Sequence, residues 1–378
     1  MSCLFSTYIK AGLTLSADFS SVCTIPTMAS MPSLLLLLLL WGSFSFTLQD
    51  WAAPRYNVSL DLPPEQRWKA ILSHYNQTYL KESMEFVYKS SVPKWVQAII
   101  LPLAEIDLIF LVREPYAGEI RGIARTLGAS VGYVLGINFA YEATAYCTSI
   151  IAQDTKGNIY HGRNLDYAFP EILRNLTVDL DFIQNETIAY TGTTFLGYVG
   201  LWTGQSPYKF TVSGDARAKG KWWENAIAAF FKRSSPVSWL VRDVLHNARD
   251  FENAALQLSK TPIIADTYYI MGGTQSREGL VITRNRGGPA DLWPLDPQRG
   301  EWFHVETNYD HWTTPPPYDD RRTPAIKALN ATGQANINAV SLYKVLSVEP
   351  VLNDMTIYTT TMSAAFPEEY STQIRNLI

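Results

Sequence analysis

The sequence predicts an α+β layered protein whose character changes at Cys147. Two observations carry this expectation. Residues 51 to 146 read mainly helical, and from Cys147 onward short runs of period two recur between helical stretches. A helical part followed by strands, helices and strands fits α+β layers better than alternating βα units. With 378 residues, 47% of them hydrophobic and 17% charged, the chain can bury a full core.

Three stretches follow from this pattern: 1–50, 51–146 and 147–378. The run Leu34 to Leu40, followed by Trp41, Gly42 and Ser43, has the length of a signal-peptide apolar region and is too short to span a bilayer. No Lys or Arg lies between Lys10 and Arg55, and Met28 and Met31 directly precede the leucines, so residues 1–27 also fit an upstream extension. Residues 1–50 are expected to be removed. Pro63 and Pro64 then open a helix expected to reach about Lys81. The segment 92–112 is strongly apolar, and a polar turn near Arg113 to Gly118 leads into more helix. Within 92–112, Trp95, Ile99, Ile100 and Leu103 recur at helical spacing, Pro102 divides the run, and Lys94, Glu105 and Asp107 interrupt it. A buried helix and a lipid-surface helix both fit that pattern.

From Cys147 a hairpin is expected, with strands at 147–153 and 158–162 around the turn Asp154 to Gly157. Leu176 to Phe182 alternates apolar and polar residues, and a second strand follows the turn at Gln184 to Glu186. Helices are expected at 222–232, 237–247 and 251–258, strands at 267–271, 279–283, 302–307 and 355–361, and helices near 323–329 and 339–346.

Composition narrows the function. A formal charge of −4 offers no polycationic surface to neutralise phosphates, which excludes a nucleic-acid partner. Five Asn-x-Ser/Thr sequons follow the leader, at Asn57, Asn76, Asn175, Asn185 and Asn330, as expected of a glycoprotein of the secretory path displaying them on surface loops. Cys3 and Cys23 lie in the leader, so the remaining chain keeps only Cys147 and no internal disulfide. A single thiol in a secreted protein is inert and buried, pairs with another chain, or does chemistry.

Zinc spacings, a Gly-rich phosphate loop and a Gly-x-Ser-x-Gly elbow are missing from the sequence, so neither metal nor cofactor is expected. The five histidines, at 74, 161, 246, 304 and 311, are scattered, and any of them could partner a thiol in space. What stands out is Cys147 at the head of a strand, followed within one hairpin by Arg163, Asn164 and Asp166. Arg163 and Asp166 differ in strand parity, so a bend near Asn164 is needed for both to reach Cys147. An ordinary Arg/Asp surface pair fits the same residues.

Cys147 to Asp154 (Cys-Thr-Ser-Ile-Ile-Ala-Gln-Asp) with His161 to Tyr167 (His-Gly-Arg-Asn-Leu-Asp-Tyr) resembles the nucleophile hairpin of the acid ceramidase family, and within it the N-acylethanolamine amidase branch. The resemblance continues through Gly192–Gly204, Met271–Gly273, Val281–Arg284, Glu306–Asp310 and Asp319–Thr323, and covers the chain from about Trp51 onward. It implies an N-terminal-nucleophile αββα sandwich with a helical N-terminal subunit, made as an inactive precursor that cuts itself between Tyr146 and Cys147. The two resulting chains would stay together as a heterodimer in the lysosome and hydrolyse fatty-acid amides, N-acylethanolamines such as palmitoylethanolamide above all. Within the chain Cys147 has only an amide nitrogen; cleavage frees an α-amine with a pKa of about 8 beside the thiol.

The same resemblance implies a role for each site residue. Cys147 is the nucleophile, Asp166 a partner of the new amine, Arg163 a cation that lowers the thiol pKa, and Asn308 the oxyanion donor. Tyr167 and Trp202 line the acyl site, although both also read as ordinary core aromatics. Family amidases commonly carry Glu where this chain has Ala216, so either that role is dispensable or Asp215 or a water stands in. Hydrolysis of ceramide is the rival within the family, and a non-catalytic lipid-binding glycoprotein the rival outside it.

Overall fold

A computed structural model of the chain describes residues 49–95, 97–98, 112–140, 146–217 and 234–376. The leader expected before residue 49, the helix expected at 222–232 and most of the apolar segment 92–112 lie outside the described residues.

The part that precedes Cys147 is less purely helical than its sequence suggests. It opens with two strands, β1 (Trp51–Ala52) and β2 (Arg55–Ser59), before α1 (Lys69–Ser73), α2 (Gln77–Ser91), α3 (Tyr116–Leu127) and α4 (Val131–Ala140). The helix expected to run through Lys81 is broken at Asn76, whose side chain accepts from the backbone N–H of Tyr79 and caps α2. Helices α2, α3 and α4 pack on one another and bury Leu80, Val87, Ile120, Ile123, Val134 and Leu135. Each such side chain contributes roughly 1.5–3 kcal/mol through the apolar area it removes from water.

After Cys147 the expected strands are present and others join them. The chain runs through β3 (Tyr146–Gln153), β4 (Ile159–Asp166), α5 (Pro170–Leu176), β5 (Thr177–Gln184), β6 (Thr187–Phe195), β7 (Thr203–Ser206) and β8 (Phe210–Ala216). It continues through α6 (Val237–Asn247), α7 (Phe251–Lys260), β9 (Thr267–Gly272), β10 (Gly279–Asn285), β11 (Gly288–Pro294) and β12 (Phe303–Glu306). It closes with α8 (Arg322–Thr332), α9 (Ala339–Val345), β13 (Thr356–Met362) and β14 (Ser371–Ile374). Asp154 shapes the β3–β4 turn by accepting from the backbone of Lys156 and Asn158.

These strands form a six-stranded sheet in the order β1-β14-β13-β4-β3-β12 and an eight-stranded sheet in the order β11-β10-β9-β8-β7-β6-β5-β2. Strand β2 joins β5 in parallel, while the β3–β4 hairpin and its neighbours pair antiparallel. β3 packs across onto β8, β9 and β10, while α6 and α7 cover the eight-stranded sheet and α8 and α9 the six-stranded one. The result is a four-layer αββα sandwich, and the stretch before Cys147 supplies a strand to each sheet.

The central hairpin sets up the site. β4 is buried along its whole length and β3 from Cys147 onward, yet they carry Thr148, Ser149, Gln153, His161, Arg163, Asn164 and Asp166. Alternation turns Ile150 and Ala152 toward Leu329, Leu342 and Leu346 of the helix layer, and turns Cys147 and Ser149 into the space between the sheets. Gly162 lets the helix layer approach closely, since a Cβ there would lie 2.8 Å from the Leu342 and Leu346 side chains and would force them to shift.

The bend expected at Asn164 does not occur. The β3–β4 register runs unbroken from Gln153↔Ile159 to Tyr146↔Asp166. Arg163 and Asp166 therefore leave the strand on opposite faces, and each reaches Cys147 by its own route. The five sequon asparagines are all exposed, but only Asn185 lies in a turn. Asn57 is in β2, Asn76 caps α2, and Asn175 and Asn330 are helical.

Candidate active site

Cys147 is fully buried, and the protein grips its side chain and both of its backbone polar groups. β12 pairs with β3 as far as Glu306↔Ser149 and stops. Carried two residues further, the same register places Asn308 opposite Cys147, and the Asn308 side chain fills the missing rung. Its Oδ1 accepts the Cys147 N–H at 2.8 Å, and its Nδ2 donates to the Ala216 carbonyl at 2.6 Å. The Cys147 carbonyl accepts from Nη1 of Arg321 at 2.6 Å.

On the inner face, Nη2 of Arg163 lies 2.8 Å from the thiol sulfur. The guanidinium also donates to the carbonyl of Trp202 at 2.6 Å, to Oγ1 of Thr203 at 2.7 Å and to the carbonyl of Gly214 at 3.1 Å. A fully buried cation costs several kcal/mol to desolvate and persists only when its donors are satisfied and a counter-charge is near. Asp215 supplies that charge, with Oδ1 3.9 Å from Nη2 of Arg163. Gly214 makes room for the Trp202 indole, which a Cβ would meet at 2.7 Å.

Burial dominates the titration of this group. It pushes the Cys147 thiol up to about 12 even though Arg163 pulls it down, so the expected lowering by Arg163 is outweighed in the uncut chain. Burial likewise raises Asp215 to about 7, against the opposing pull of Arg163 and the hydrogen bond from Ser149. It raises Asp166 as well, where Arg321 is the chief opposing influence.

Asp166 meets Cys147 from the outer face through Arg321. Its Oδ2 lies 3.3 Å from Nη1 of Arg321, and it also accepts from Thr356 at 2.7 Å and Asn353 at 3.1 Å. Arg321 further donates to Oδ1 of Asn308 at 2.7 Å and is anchored by Asp319. One guanidinium thus joins the Cys147 carbonyl, Asp166 and Asn308.

Tyr167 and Trp202 are buried in the same core cluster as Cys147. The Tyr167 hydroxyl donates to the carbonyl of Ala140, and the Trp202 indole N–H donates to Tyr198. Tyr146, across the expected cut, is half-exposed, and the Arg321 guanidinium lies over its ring. His161 turns toward Thr211 and Ser213, and His304 toward the Pro294 carbonyl, while the thiol has Arg163 beside it.

Sequence reasoning overlooked Arg321 and Ser149 and named Asp215 only as a stand-in. Arg321 lies within the Asp319–Thr323 motif, which was the available signal for it. Ser149 stands two residues after Cys147 on the same strand face, which would have marked it.

The αββα sandwich, with a cysteine at the second position of a central strand, has the architecture of the N-terminal-nucleophile class of amide hydrolases. Residues 147–336 match the family model of linear amide C–N hydrolases, choloylglycine hydrolase family, and residues 52–105 match that of the beta subunit of N-acylethanolamine-hydrolyzing acid amidase. The chain is 58% identical to the N-acylethanolamine-hydrolyzing acid amidase of Cavia porcellus, over 86% of this chain and 92% of that protein. It is 37% identical to the acid ceramidase of Homo sapiens, over 82% and 83% of the two. A solved Caenorhabditis elegans ortholog of the N-acylethanolamine-hydrolyzing acid amidase aligns with TM-score 0.56 and 41% identity, covering 61% of this chain and all of that one.

The chain belongs to the N-acylethanolamine-hydrolyzing acid amidase group of the choloylglycine hydrolase family, and it is a hydrolase of linear amides. The two family matches fall on either side of Cys147 and support a processed, two-chain enzyme.

Proposed function

We propose that this chain is a precursor that cuts itself between Tyr146 and Cys147 and then hydrolyses N-acylethanolamines to fatty acid and ethanolamine. The observation that carries the reading is the double hold on Cys147, with Asn308 on its nitrogen and Arg163 on its sulfur. In the cut, the thiol attacks the Tyr146 carbonyl, the peptide nitrogen leaves as the Cys147 amine, and water hydrolyses the thioester. The amine is then the base for the thiol, which attacks the substrate amide carbon; Asn308 stabilises the oxyanion, and Arg163 balances charge at the sulfur. Asp166 orients the cleaved end through Arg321. Tyr167 and Trp202 are read as walls of the acyl site.

Cys147→Ala tests the reading, because nucleophile and cleaving agent are the same atom. Intact mass and N-terminal sequencing are expected to show one uncut, inactive chain. A variant that still yields two chains under the same conditions overturns self-processing. Substrate choice rests on 58% identity to an amidase against 37% to a ceramidase. Palmitoylethanolamide is expected to turn over faster than a short-chain ceramide assayed beside it, and the opposite ranking would reassign the substrate.

The reading also places the enzyme in the lysosome as a glycoprotein, supported by the leucine-rich leader and the five exposed sequons. Contact with a lipid surface through the segment 92–112 belongs to the same proposal, since fatty-acid amides are nearly insoluble. Trp95, within its described part, is exposed. Among the described residues no helix is long and apolar enough to cross a membrane. Co-sedimentation of processed protein with anionic vesicles is the measurement, and protein left in solution would remove the lipid contact.

A further inference from the structure

Between the two sheets a line of polar side chains runs to Asp215 and stops there. Nδ1 of His161 lies 2.9 Å from Oγ1 of Thr211, and its Nε2 lies 2.9 Å from Oγ of Ser213. The Ser213 hydroxyl is 2.8 Å from that of Ser149, which is 2.8 Å from Oδ1 of Asp215. Thr211 is in addition 3.2 Å from the carbonyl of Gly272. All five side chains are buried, and Oδ2 of Asp215 has no hydrogen-bond partner. Nothing in the amide-cleaving steps uses this line.

The line can carry its hydrogens in two directions. With Asp215 ionised, every donor points at it: Thr211 to Nδ1, Nε2–H to Ser213, Ser213 to Ser149 and Ser149 to the carboxylate. With one proton on Oδ1, the whole row turns round. Asp215 then donates to Ser149, Ser149 to Ser213, Ser213 to Nε2, Nδ1–H to Thr211, and Thr211 to Gly272. His161 stays neutral in both, since burial lowers it to about 3. One proton at the carboxyl therefore inverts the imidazole tautomer.

The same Oδ1 of Asp215 that accepts from Ser149 lies 3.9 Å from Nη2 of Arg163, and that Nη2 faces the sulfur. We infer that Asp215 is a positioning residue that sets the charge available to Cys147: the ionised carboxylate draws off the Arg163 charge, and the protonated acid leaves that charge to the sulfur. Other groups that act on Asp215 are Arg321 and Asp166 around the Cys147 backbone and Glu306 on β12. Tyr268 of β9 is its register partner, and the Thr267 hydroxyl donates to its backbone carbonyl. Glu306 is itself pushed up by burial, and Asp215 is the carboxyl with an oxygen 3.9 Å from the Arg163 guanidinium. Acidification through the Asp215 transition, near neutrality, would thus lower the thiol's own pKa and hold its reactivity level while the pH falls.

The inference rests on Cys147 being the nucleophile and is tested without any amide substrate. The probe is iodoacetamide, and the readout is the pH dependence of Cys147 alkylation in processed full-length protein, followed by mass spectrometry. If thiol and carboxyl compete for one cation, the wild-type rate rises with pH, levels off where Asp215 ionises, and then rises again. Asp215→Asn is expected to match wild type at pH 5 and to rise without the plateau, reaching at least about tenfold above it at pH 8. Superimposable profiles overturn the inference.

Where Asp215→Asn fails to fold or to process, Ser149→Ala decides. Losing its hydrogen bond to the carboxylate moves the start of the plateau up by about one pH unit, and an unmoved plateau overturns the inference. Nitrogen-15 NMR of His161 gives a signature that mere packing would not: the tautomer inverts across the wild-type plateau onset, and a single tautomer from pH 5 to 8 counts against the relay. Labelling that behaves as expected in a protein inactive on fatty-acid amides would leave the switch standing and remove the substrate proposal.

Discussion

The side-chain oxygen of Asn308 accepts the backbone N–H of Cys147 at the register position two residues beyond the last β12 pair. A strand that ends two residues early leaves one rung for a side chain, and that side chain can do chemistry where a backbone group could not. After a cut at this bond, the same oxygen faces an α-amine.

Asn308→Ala is expected to lower turnover by roughly 10²-fold or more, the scale for removing one oxyanion donor, with a smaller change in KM. Asn308→Asp is expected to lose as much, because a carboxylate cannot donate to the Ala216 carbonyl and brings a like charge to an oxyanion. Steady-state kinetics on processed protein check both, and a fully active Ala variant removes Asn308 from the mechanism.

Arg321→Lys is expected to fail despite keeping the charge. Arg321 contacts Cys147, Asp166, Asn308 and Asp319 at once through a planar fork, which a single ammonium cannot reproduce. Turnover should fall by at least about tenfold, a cost of about 1.4 kcal/mol in the transition state, while the folded protein keeps its near-ultraviolet circular dichroism. Unchanged kcat/KM would reduce Arg321 to scaffolding.

Glu119→Gln should loosen the two processed chains from each other. Glu119 of α3 is fully buried and makes a two-pronged contact, at 2.7 Å each, with Arg242 of α6, while Arg67 and Trp68 donate to it as well. Burial pushes the Glu119 carboxyl up, but Arg242 and the hydrogen bonds prevail and hold it below the usual value. Removing the carboxylate leaves Arg242 uncompensated, at a cost of about 3–5 kcal/mol. Urea unfolding of processed protein measures it, and an unchanged midpoint would show that the pair is not the clamp.

His161→Gln should flatten the acid side of the stability curve. The buried imidazole titrates at about 3 in the folded chain against 6.5 when free. A depressed histidine gives stability that is complete above 6.5 and is lost as pH falls toward 3, because only the unfolded chain takes up the proton. Between pH 7 and 4.5 the wild type should therefore lose about 3 kcal/mol that the variant keeps. Equal pH slopes for the two proteins in urea titrations would contradict this.

The β3–β4 hairpin was readable because its turn carries Asp154 and Gly157 and its strands sit next to each other in sequence. Strand β2 was not, because its parallel partner β5 lies more than a hundred residues away and leaves no local pattern. β7 spans only Thr203–Ser206, a polar run that is buried by neighbours rather than by its own composition. At the site, Cys147, Arg163 and Asp166 share one hairpin and could be grouped by eye, but their faces could not, since parity argued for a bend that β4 does not contain. Arg321 and Asn308 reach Cys147 across 174 and 161 positions, and only the packed sheets make them neighbours.

The strands that the stretch before Cys147 lends to both sheets give scission a thermodynamic direction. An intact precursor folds as one molecule, so adding β1 to β14 and β2 to β5 is a first-order event, with a local concentration set by the tether. Once the tether is cut, regaining the same sheets from denatured chains is second-order and depends on dilution. Processed enzyme should accordingly persist by the height of its unfolding barrier, and after full denaturation it should recover far less completely than the precursor at the same low concentration. Maturation would then spend the molecule's capacity to refold, leaving a catalyst with a finite working life.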